Sequence, residues 1–101
     1  MRFVQVTIPA VDAEAMLLLL LRERLVAGGT IFPIVHSRYW WNGEIVASEE
    51  AAIQLETMKD RIDPLVARIH ELHPYDNPRI LVFEPSERLE KHHRWVHVET
   101  R

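Results

Sequence analysis

Two groups of histidines stand at spacings that could hold a metal ion. His70 and His73 are three residues apart near the end of a helical pattern, which puts both imidazoles on one helix face. His92, His93 and His97 gather near the C-terminal end, where nitrogen donors would suit Cu(II) or Ni(II). A metal centre at the first pair needs a third ligand that no nearby residue supplies. His70-Glu71-Leu72-His73 also lacks the spacing of the His-Glu-x-x-His zinc-protease motif. The first pair therefore reads as imidazoles near a helix C-terminus, where they favour the dipole, and the second as solvated surface side chains. Tyr39, Trp40 and Trp41 are adjacent and could stack a flat ligand or fill a groove on a neighbouring subunit. Glu49 and Glu50 fall on opposite faces of an extended segment, so they cannot serve as a paired acid and base. Ser37 and Ser48 lack a glycine elbow, and Gly28-Gly29 follows a helix instead of preceding one. No nucleophile and base stand together, and no enzyme is expected. A hydrolytic or lyase site would need Glu50, His73, Tyr75 and Arg79 to meet in a cleft.

The elements that must position these residues come from a chain of 101 residues, 48% hydrophobic, with no cysteine. A chain of that size makes one domain, spanning residues 1–101, with a core that needs no disulfide. Thiolate nucleophiles and cysteine metal sites are excluded. Twelve basic against fifteen acidic residues give a net charge of -3, and no basic stripe occurs, so a nucleic-acid partner is not expected. The longest apolar stretch, Ala15 to Leu21, falls far short of the ~20 residues of a membrane span. No basic segment of a signal peptide precedes it. The expectation is a cytoplasmic protein with no membrane partner.

Arg2 to Ile8 alternates and stops at Pro9, as a strand does. Asp12 as N-cap and Gly28-Gly29 as stop predict a helix over 12–27. Thr30 to Trp41 and Glu44 to Thr57, joined by Asn42-Gly43, read as a type I′ hairpin. Arms of about twelve residues span ~40 Å, twice the usual strand. Pro33 places the first arm at an edge or at a bulge. A second helix opens at Asp60 and ends at His73-Pro74, with Ile62, Leu65, Val66, Ile69 and Leu72 along one stripe. Ile80 to Phe83 reads as a strand, Ser86 to Lys91 as a polar turn or helical piece, and Trp95 to Val98 as a short last strand. The order β-α-β-β-α-β is the ferredoxin-like split β-α-β arrangement, an α+β antiparallel sheet with both helices on one face. Its uncovered face, overhanging hairpin and proline-marked edge call for strand-to-strand oligomerisation.

Ser37-x-Tyr39-x-Trp41-x-Gly43 at the hairpin, His73-Pro74-Tyr75-x-x-Pro78 after the second helix, and Trp95 near the end closely resemble the CutA family of divalent-cation tolerance proteins. The resemblance covers almost the whole chain. It implies a homotrimer of ferredoxin-like subunits joined through the long hairpin and the last strand, similar in architecture to nitrogen-regulatory PII proteins. It also implies a role in copper or other divalent-cation tolerance, with ions or small ligands held in clefts between subunits. Tyr39, Trp41, Glu50, Glu56, Tyr75, Arg79 and Trp95 are the implied cleft or interface residues, and His73 is the implied metal ligand. The alternative is a PII-like regulatory trimer that binds a metabolite or partner protein and no metal. Two of the family's three proposed copper ligands are replaced: Gly28 stands at the cysteine and Arg79 at the glutamate. Where the family has a basic residue after the second hairpin arm, this chain has Glu56. Glu56 and Arg79 are thus expected at one end of the sheet as a charge-swapped pair.

Overall fold

In the computed structural model, which describes all 101 residues, β1 (Arg2–Ile8), β2 (Gly28–Trp41), β3 (Glu44–Thr57) and β4 (Ile80–Phe83) form one antiparallel sheet of order β2-β3-β1-β4. Three helices accompany it: α1 (Ala10–Arg22), α2 (Ile62–Leu72) and α3 (Glu90–Glu99). Alternation puts Val4, Val6 and Ile8 of β1 beside Ala51, Ile53 and Leu55 of β3 on one face. Ala13, Met16, Leu17 and Leu20 of α1 and Leu65 and Ile69 of α2 close that face into the core. This is the ferredoxin-like α+β arrangement. No helix is long and apolar enough to cross a membrane.

The hairpin turns at Asn42 and Gly43 with φ of 51° and 80°, both in the left-handed region that a type I′ turn requires. Pro33 does both things open to it. It lies on the edge strand, and the β2–β3 register slips between Phe32 and Val35. β1 reaches only as far as Ala51 on β3, so Glu44 to Glu50 pair with β2 alone. The seven residues of each arm nearest the turn, Val35–Trp41 and Glu44–Glu50, about 24 Å, form a free two-stranded ribbon, and the molecule measures 45 × 27 × 23 Å.

Four expected boundaries move. α1 begins directly after Pro9, with Asp12 inside its first turn instead of at the cap, and it ends at Arg22 instead of Ala27. The stop is a Schellman closure. Arg24 takes φ 59°, its N–H bonds the Leu21 carbonyl, and the Leu25 N–H bonds the Leu20 carbonyl, the paired bonds of that motif. A non-glycine carries the left-handed position, so β2 already starts at Gly28. α2 is preceded by a 3-10 turn, Lys59–Arg61, and Asp60 does not cap it. Asp60 instead takes a two-pronged pair from Arg101 at 2.6 and 2.8 Å.

The largest departure is at the C-terminal end, where the expected strand Trp95 to Val98 is part of α3. Val96 is its buried position, and buried Thr100, the residue that caps its end, lies four further on, which is helical spacing. The Thr100 hydroxyl bonds back to the Val96 carbonyl at 2.9 Å. α3 crosses the end of the sheet where β1 begins and β3 ends. Arg61 donates to the Thr100 carbonyl at 2.7 Å, and Arg24 pairs with Glu99 at 2.7 Å. His93 and His97 are therefore four apart on one helix.

Candidate functional site

The sheet face that carries Phe3, Gln5, Thr7, Glu50 and Tyr39 is not covered by α1 or α2. At the end of that face where β1 finishes, the free ribbon and the 73–79 loop enclose a cleft of about 530 Å³. Local chemistry fixes the loop. His73 Nε2 lies 2.7 Å from the Thr7 carbonyl, and the Tyr75 N–H donates to His73 Nδ1 at 3.1 Å. A carbonyl only accepts, so Nε2 carries the proton and Nδ1 carries the lone pair. His73 is thus a neutral brace between β1 and the loop, buried, with its ring 4.9 Å from that of Tyr75.

Tyr75 in turn reaches into the cleft. Burial, and then the negative Glu50 carboxylate beside it, hold its phenol above the ordinary range. Glu50 is only 4% exposed and forms the floor, opposite in direction to exposed Glu49, which faces His36 at 3.9 Å. The ribbon supplies Tyr39, Trp41 and Arg38, and the loop supplies Arg79. Of the expected cleft residues, Tyr39, Trp41, Glu50, Tyr75 and Arg79 thus come together. Arg38, which sequence reasoning did not place in the cleft, shares it with Glu50 without forming an ion pair. Its parity alone puts it on the opposite side of the strand from Tyr39 and Glu50, which is why sequence reasoning missed it.

Glu56 and Trp95 lie elsewhere. Glu56 sits opposite Phe3, whereas Arg79 precedes Ile80, which sits opposite Val6. β3 and β4 are both antiparallel to β1 and hence parallel to each other. The end of one and the start of the other fall at opposite ends of the sheet, four rungs or about 13 Å apart. The expected Glu56–Arg79 pair does not exist. Glu56 instead bonds His92 Nε2 at 3.0 Å, and His92 stacks on Trp95 at 5.5 Å. The Trp95 ring overhangs Gly28, where an added Cβ would sit 3.5 Å from it.

The donors do not fit the copper site that the resemblance implies. Gly28 offers no side chain, Arg79 is a fixed cation, and both ring nitrogens of His73 are engaged. No three histidine or carboxylate side chains stand together as a metal centre would require.

An antiparallel split β-α-β sheet with an overlong hairpin and a cleft at its base defines a PII-like class of small α+β protein. Within that class the chain belongs to the CutA1 divalent ion tolerance family, whose model matches residues 2–99. The divalent-cation tolerance protein CutA of Pyrococcus horikoshii is 36% identical over 90 residues, covering 89% of this chain and 87% of its own. A crystal structure of Pyrococcus horikoshii CutA superposes with a TM-score of 0.95 at 35% identity over the whole of both chains. The PII-like protein CutA from Nostoc sp. in its apo form gives 0.95 at 31% identity, covering 100% of this chain and 98% of its own.

Proposed function

We propose that this protein is a homotrimer, not an enzyme, that serves divalent-cation tolerance by binding a small ligand or ion in clefts at the subunit boundaries. The observation that carries this reading is the free ribbon. A two-stranded hairpin is marginal alone in water, and this one exposes Trp40, Trp41 and Ile45 at 72%, 55% and 65%. Packing the ribbon on neighbouring subunits buries those side chains and sets the cleft at its base on the boundary.

Direct copper ligation through His73 is disfavoured within this reading. Any ion there must displace the Thr7 carbonyl or the Tyr75 N–H, and each loss leaves a backbone group unpaired. That favours the PII-like version, in which the cleft takes a metabolite or partner group. Light scattering gives the subunit number, and calorimetry with Cu(II) tests ligation. We expect a trimer with no stoichiometric site that His73→Ala removes. A monomer overturns the assembly, and stoichiometric binding that disappears in His73→Ala restores the copper role. Binding lost only in a variant lacking His92, His93 and His97 would assign it to those exposed imidazoles.

A further inference from the structure

We propose that the cleft recognises a planar organic anion, a flat ring bearing a carboxylate or phosphate, with Arg38 and Arg79 gripping the charged group. The inference rests on the cleft reading above and names its ligand class. Arg2, Arg24, Arg68, Arg88 and Arg101 each pair with a carboxylate, Arg61 donates to the Thr100 carbonyl, and Arg22 and Arg94 are unpaired but do not line this cavity. Arg38 makes only a bond to the carbonyl of its neighbour Ser37, and Arg79 makes none. Both line the same cavity. Two exposed guanidinium groups without counter-ions line one cavity, where Asp76 is the exposed carboxylate, and each can meet carboxylate or phosphate oxygens.

The rest of the cavity orders the ligand. Tyr39 and Tyr75 give flat walls for a ring, and 530 Å³ is within the range of small-molecule sites. Buried Glu50 at the floor repels an anion and accepts a hydrogen bond. The charged group therefore points outward to the arginines, and an O–H or N–H on the far side of the ring points inward to Glu50.

Fluorescence and calorimetric titration of the full chain with 4-hydroxybenzoate and phenyl phosphate test this, with phenol, acetate and inorganic phosphate as controls. We expect saturable binding of both ring-bearing anions and at least about tenfold weaker binding of the controls. Arg38→Gln and Arg79→Gln should each cost about tenfold, the scale of one charge-assisted hydrogen bond, and lysine at either position should recover part of it. Both positions are exposed, and circular dichroism confirms that the variants fold. Phosphate binding without the hydroxybenzoate, or the reverse, decides which oxyanion is taken. Inorganic phosphate binding as tightly as the ring compounds overturns the proposal, as does affinity indifferent to both arginines or no saturable binding. A trimer that binds no probe sinks this inference alone. A monomer that binds them sinks the assembly and leaves the ligand class standing.

Discussion

Replacing His73 with alanine separates a structural brace from a metal ligand. The substitution removes the 2.7 Å bond to the Thr7 carbonyl and the 3.1 Å bond from the Tyr75 N–H, each contributing about 0.5–1.5 kcal/mol net. It also removes the ring contact with Tyr75 at 4.9 Å, which adds about 0.5–1.5 kcal/mol. The expected loss is about 1.5–4.5 kcal/mol in the absence of any metal. Urea unfolding with chelator present reads it as a midpoint lowered by about 1–3 M, taking the denaturant slope typical of small proteins. Wild type and variant must be compared at one protomer concentration, because assembly stabilises the folded chain by mass action. A variant within about 0.5 kcal/mol of wild type under chelator, but destabilised relative to wild type once Cu(II) is added, would refute the brace and make His73 a ligand.

An alanine at Gly29 would place its Cβ 2.5 Å from Leu17 Cδ1 and 3.1 Å from Leu55 Cδ2, so Gly29→Ala should lower stability by about 1–3 kcal/mol in urea unfolding, as overpacking does. Hydrogen bonds from Arg101 and Arg68 hold the Asp60 and Glu23 carboxyls below their ordinary values of 3.8 and 4.5. Their stabilisation is complete above those values and is lost as pH falls through the lower folded ones; acid unfolding of Asp60→Asn plus Glu23→Gln should show a flatter acid limb than wild type. Trp40→Ser with Trp41→Ser should shift the mass measured by light scattering from trimer toward monomer while far-ultraviolet circular dichroism is retained. An unchanged mass would remove the ribbon rings from the assembly contact.

The hairpin was legible because Asn42-Gly43 and Pro33 each carry one physical meaning, a left-handed turn and a missing ladder donor. The strands of the core were legible by alternation, and the cleft residues largely through the resemblance at Ser37 to Gly43 and His73 to Pro78. What escaped depended on contacts distant in sequence. The Arg24 stop is a left-handed residue without glycine, tied to Glu99 far along the chain. α3 was hidden because Trp95, Val96, His97 and Val98 alternate as a strand would, and only burial of Val96 and Thr100 reveals the four-residue step. The Glu56–Arg79 pairing failed on strand direction, which composition does not encode.

The same strand direction leaves the sheet with two polar assemblies that scarcely sense each other. Glu56, His92 and Trp95 serve the end tied down by α3, while Glu50, Tyr75 and Arg79 serve the cleft. A separation of about 13 Å exceeds the screening length of about 8 Å at physiological salt. The cleft can therefore be recharged, for instance by exchanging Arg79 for an acid, without loosening the clamp at the far end. A designer can treat the cleft as a replaceable socket on a fixed frame.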